Sequence, residues 1–171
     1  MAPADIGNYF AAERIISKEC LLPGFLAIAA LPIIARPEDA GHMKTINRFR
    51  LELFIAGCLA GAGLYVLGGP IIALIYGSKY DGAARPLAWL GLALPFMFVN
   101  HFSLIALIAD KRTWHAALAA FTAFTLNILV DLTFIPRLGI FGAAMGAVSA
   151  QATVSLIVWF LLSPKKTLQI A

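Results

Sequence analysis

Residues 114–162 read WHAALAAFTAFTLNILVDLTFI, then PRLG, then IFGAAMGAVSAQATVSLIVWFLL, and their only formal charges are Asp131 and Arg137. The hydrocarbon core of a bilayer is about 30 Å thick, and a helix needs roughly 20 apolar residues to cross it. Two apolar runs of that length, separated by a four-residue connection, therefore predict a pair of membrane-crossing helices. Strands are excluded, because an open sheet edge leaves backbone N–H and C=O groups unsatisfied in lipid. Working outward, runs of the same kind occupy 86–108, 51–75 and 15–35. The expectation is one all-α domain over 1–171, a polytopic transmembrane helical bundle of about five spans at 15–35, 51–75, 86–108, 114–135 and 140–162.

Composition agrees. The 171-residue chain is 61% apolar and 13% charged, with a mean hydropathy of +0.86. A soluble domain is nearer 45–50% apolar and about 25% charged, and would expose too much apolar surface if built from this sequence. None of the apolar runs resembles a removable signal peptide, since no basic start followed by a short apolar core and a small-residue cleavage site opens the sequence. The net charge of +4 comes from residues between the spans and forms no nucleic-acid-binding face. Cys20 and Cys58 sit in apolar runs without metal-ligand spacing, and read as buried small thiols. No nucleotide fingerprint, phosphate-cradling loop or nucleophile-and-base arrangement is present. The chain is expected to be no enzyme and to hold no cofactor or metal.

The separators set the orientation. The segment 36–50, the turn at 110–112 and the C-terminus share one side and carry Arg36, Lys44, Arg48, Arg50, Lys111, Arg112, Lys165 and Lys166. The other side has Lys79, Arg85 and Arg137. Basic loops stay in the cytoplasm, so the C-terminus is expected inside. Trp89 is then expected near the outer interface, with Trp114 and Trp159 near the inner one. Five spans leave Met1 outside, which points to an earlier span.

Gly57-x-x-x-Gly61 and Gly142-x-x-x-Gly146 predict close helix contacts, because glycine lets two backbones approach in lipid. Gly68-Gly69-Pro70 reads as a break near the end of the second span, and Pro136–Gly139 as a tight turn. Pro23, Pro32 and Pro95 predict kinks.

A charge at the bilayer centre costs about 2.5–3.5 kcal/mol even on insertion scales. Arg14 and Lys18, one turn apart, share a face of the first span with Gly7, Leu21 and Phe25. They either line a wet, anion-attracting cavity or snorkel to the interface. Glu13 and Glu19 fall on other faces. Asp131 is the deepest acid, with Asn127 one turn before it. The pair reads as a substrate or cation contact, or as an interhelical hydrogen bond. Asn100 and His101 are expected to be hydrogen-bonded within the bundle, and Gln151 with Ser155 to join helices.

Four segments, in order, resemble the C-terminal half of the Wzx-type polysaccharide and oligosaccharide flippases, of one superfamily with the MATE exporters and the lipid II flippases. They are IGNYFAAERI at 6–15, ALPII at 30–34, IYGSKY at 75–80 and NILVDLTFIPRLGIFGAA at 127–144. Asp131 departs from the resemblance, standing where the family often has Asn. The resemblance implies the second lobe of a MATE-like transporter, a multi-pass protein of the inner (plasma) membrane. It also implies a span before residue 6 and a first lobe, possibly separately encoded. The expected partners are the lipid bilayer and a polyprenyl-diphosphate-linked oligosaccharide, with Arg14, Lys18, Asn127 and Asp131 as substrate contacts. The alternatives are a cation-coupled drug exporter relying on Asp131, or a non-transporting scaffold or decayed fragment.

Overall fold

The computed structural model describes residues 3–19, 21–34 and 42–162, and among these every regular element is helical. In chain order they are α1 (Pro3–Glu19), α2 (Leu21–Ile34), α3 (His42–Tyr76), a 3-10 segment (Ser78–Ala83), α4 (Ala84–Gly91), α5 (Leu94–Ala109), α6 (Thr113–Leu138) and α7 (Ile140–Leu162). The protein is a polytopic helical bundle. Among the described residues, three stretches are long and apolar enough to cross a membrane: Lys44–Tyr76, Thr113–Leu138 and Ile140–Leu162. Ser78–Gly91 and Leu94–Ala109 make a fourth if that pair, bent by 53°, is one span. The run at 15–35 falls across the end of α1 and α2, with Cys20 and Ala35 outside the described residues.

α5 is the axis of the bundle. α2, α3 and α7 pack around it, and Leu94, Phe98, Phe102, Ala106 and Leu107 are buried along it. α1 lies against α4 and the 3-10 segment, so α1 and α2 accompany α4 and α5 in succession. α6 leans on α7, with a minor contact to α5. The outer face of α6 presents Trp114, Phe121, Phe124 and Leu132, as lipid requires.

The small-residue motifs do the joining. A Cβ on Gly61 would lie 2.6 Å from the Gly91 carbonyl oxygen, and one on Gly57 would meet the Pro95 backbone at 2.5 Å. α3 therefore presses its Gly57–Gly61 face onto the break between α4 and α5, where Pro95 opens the new helix. In α7 every fourth residue from Gly142 to Leu162 is buried, through Gly146, Ala150, Val154 and Val158. Gly142 sits against the Phe134–Ile135 backbone. Opposite, α6 buries Ala116, Ala119 and Ala123.

Several local expectations are corrected. α3 runs without a break through Gly68-Gly69-Pro70, because neighbouring packing supports the helix where proline removes one donor. Gly68 lies against Leu87 there. The turn expected over Pro136–Gly139 shrinks to Gly139: α6 continues through Pro136, and Gly139 alone takes a positive φ of 61°. Cys58 is exposed rather than buried, since the stripe that packs inward is that of Gly57 and Gly61. Finally, α3 begins at His42, so Arg48 and Arg50 are helical rather than loop residues. Arg48 pairs with Glu52 at 2.8 Å on the exposed face, whereas Arg50 is buried.

Candidate functional site

The α6 stripe that faces α7 runs Ala116, Ala119, Ala123, then Asn127 and Asp131. Helical spacing carries both polar residues onto the same inward face. There they meet Gly146, whose missing side chain leaves the room they fill. A Cβ on Gly146 would collide with the Asp131 carboxylate and stand 3.1 Å from Asn127 Nδ2. Among the described residues, Asp131 Oδ1 is buried without a hydrogen-bond partner. α1 makes only a minor contact with α7. Asp131 thus has no interhelical hydrogen bond at this oxygen among the described residues.

Arg14 and Lys18 are both exposed on α1, and neither forms a hydrogen bond or ion pair among the described residues. They rise about 6 Å along the helix, one after the other, and present two unneutralised cations. Glu13, half-buried, accepts a 2.6 Å hydrogen bond from Ser17 Oγ. No hydrogen bond or ion pair joins the basic pair to Asn127 and Asp131. The four expected residues fall into two separate pairs.

A third polar group lies between α5 and α7. Asn100 Nδ2 donates to the Gln151 side-chain and backbone oxygens, each at 2.8 Å, and Ser155 Oγ donates to Asn100 Oδ1 at 2.7 Å. This knot satisfies itself, as buried polar groups in lipid must. His101 lies 2.9 Å through Nδ1 from the Met97 carbonyl of its own helix. At the end of the bundle carrying Lys111, Arg112 Nη1 donates to the Leu161 carbonyl at 2.6 Å and caps α7.

Sequence reasoning missed Arg50. It took this arginine for a loop charge, yet the side chain is 3% exposed and lies 4.7 Å from the centroid of the Trp159 ring. The signal was in the spacing: Arg50 stands between Ile46, Leu53 and Gly57, all buried on the inward stripe of α3.

Comparison with known proteins supplies the family. A model of the lipid II flippase MurJ family matches residues 24–171, which takes in every described helix except α1 and the first residues of α2. The chain belongs to the MurJ lipid II flippase family. A probable flippase, AglR, of Haloferax volcanii is 26% identical over 162 residues, covering 89% of this chain. The chain spans 33% of the length of that relative. No solved structure matches. The MurJ family is one of transporters, not enzymes, and its members are multi-pass membrane proteins. Among the described residues, Arg14 and Lys18 of α1 make no ion pair and the Asp131 Oδ1 of α6 has no hydrogen-bond partner.

Proposed function

We propose that this chain acts as one lobe in flipping a polyprenyl-diphosphate-linked oligosaccharide, as a Wzx-type flippase would, for surface polysaccharide synthesis. The family match over 24–171 supports the flipping of a lipid-linked substrate, and the resemblance of four sequence segments supports the oligosaccharide. Arg14 and Lys18, exposed and without counter-charge, are the groups that would attract the diphosphate. Asn127 and Asp131 would contact either a sugar hydroxyl, a hydrogen-bond donor, or a coupling cation. The C-terminus and the basic end of the bundle would face the cytoplasm, with the protein in the inner membrane. In such transporters a central site forms between two repeats that rock against one another. A chain that spans a third of its relative's length would therefore need a first lobe, whether joined to it or separately made.

The test is flipping of a fluorescent polyprenyl-diphosphate sugar in liposomes. Flipping is expected when this chain is joined by a first lobe, and none from the chain alone. Rapid, saturable flipping by the chain alone, abolished by R14Q with K18Q, would show a self-assembled pore instead. A runner-up, cation-coupled drug export, predicts that D131N removes export of a cationic dye while R14Q with K18Q spares it.

A further inference from the structure

A cleft of about 530 Å³ opens between α3, α5 and α7. Its walls are apolar over most of their area, including Phe54, Phe96, Val99 and Leu156, and polar only toward one end, where Asn47, Arg50 and Ser155 reach it. Arg50 is the unusual member. Its side chain is buried, its guanidinium carbon lies 4.7 Å from the centre of the Trp159 ring, and its Nε has no hydrogen-bond partner among the described residues. A buried guanidinium held on an aromatic face keeps its charge and most of its donors. Leaving that charge unpaired is costly, and an incoming anion relieves the cost.

Depth identifies the anion. Arg50 is eight residues into α3 and Trp159 three residues from the end of α7. Both belong to the end of the bundle that carries Arg48, Lys111 and Arg112. At about 1.5 Å per residue, Arg50 lies some 12 Å from the start of its helix, near the level where headgroups give way to acyl chains. From that level the apolar walls continue toward the middle of the bundle through Phe54 and Phe96. A small free anion would use the guanidinium and leave the apolar length empty. An uncharged lipid would fill the length and leave the guanidinium unpaired. Basic pockets between membrane helices bind anionic headgroups by this combination.

We propose that the α3–α5–α7 cleft is a binding site for one anionic phospholipid. Its phosphate pairs with Arg50, with Asn47 as a neighbouring donor, and one acyl chain lies along Phe54, Phe96, Val99 and Leu156. Trp159 holds the guanidinium toward the headgroup. The site is separate from Arg14, Lys18, Asn127 and Asp131, and does not depend on the flippase reading.

Native mass spectrometry of the purified 171-residue chain tests it, with phosphatidylglycerol, phosphatidylcholine of matched chains, polyprenyl phosphate and inorganic phosphate added in turn. One phosphatidylglycerol is expected to be retained at least about fivefold more tightly than phosphatidylcholine, which is the effect of one basic residue at the headgroup level. R50Q should erase that preference, and R50K should keep part of it. V99W, which fills the cleft without touching the charge, should also lose the lipid, and circular dichroism should report the same helix content for all variants. Equal retention by R50Q, equal affinity for phosphatidylcholine, or binding of inorganic phosphate alone would each overturn the proposal. Retention of polyprenyl phosphate in preference to phosphatidylglycerol would overturn the phospholipid as occupant and assign the cleft to the carrier lipid.

Discussion

Arg14 and Lys18 illustrate how an exposed position differs from an unneeded one. Two like charges one turn apart repel each other slightly, so α1 alone is not improved by holding both. In the complete transporter, R14Q with K18Q is expected to abolish flipping of the polyprenyl-diphosphate sugar while membrane level and helix content stay unchanged. Flipping at the parental rate would mean that the pair only snorkels. Asp131 calls for the opposite comparison. Its Oδ1 is buried against Gly146 without a partner among the described residues, and a neutral amide in place of the carboxylate removes the cost of desolvating a charge. D131N is therefore expected to hold or raise the melting temperature in detergent while lowering transport. A variant both less stable and fully active would show that the carboxylate serves the fold.

Helix pairs carry the stability. Replacing Gly61 by Leu drives side-chain atoms into the Gly91 carbonyl, which a Cβ alone would meet at 2.6 Å. Overpacking of this kind costs about 1–3 kcal/mol, and G61L is expected to lower the thermal midpoint, whereas A62L, on the exposed side of the same turn, leaves it in place. N100A removes the bonds to Gln151 and Ser155. Such bonds average about 0.6 kcal/mol in membrane proteins, with a maximum near 1.7, so a loss of about 1–2 kcal/mol is expected, measured by unfolding in mixed micelles. Much of this level was legible in the sequence. Gly57, Gly61, Gly142 and Gly146 announced close contacts, and Asn100, Gln151 and Ser155 announced polar bonding, because spacing on a helix fixes what shares a face. What spacing could not give was the partner of each face. Nor could it tell that α3 begins eight residues before Arg50, since polar residues at a helix start look like a loop. Pro70 and Pro136 misled for a related reason: a proline predicts a lost hydrogen bond, but neighbouring packing decides whether the helix stops.

At the scale of the whole molecule, introduced cysteines can check which end of the bundle faces which side. D81C, in the exposed 3-10 segment, is expected to react with an impermeant thiol reagent on intact cells, and K111C, in the opposite turn, only after permeabilisation, both in a background with C20S and C58S. The reverse result would invert the assignment of the basic end. Fold class and the polar pairs were legible because lipid punishes any other arrangement of so apolar a chain. The cleft at Arg50 was not, since it is made by three helices that no local pattern ties together. The docking of α1 onto α4 and the 3-10 segment, where Gly7 meets Tyr80, also sets a timetable. α6 and α7 are neighbours across one glycine and can pair as soon as both are made. α1 must wait for the chain from Glu19 to Gly91, and at 5–20 residues per second that delay is roughly 4–14 s. During that interval Ala11, Ala12 and Ile16, buried in the finished bundle, lack the cover that α4 and the 3-10 segment bring, so α1 is made well before the surface it docks on.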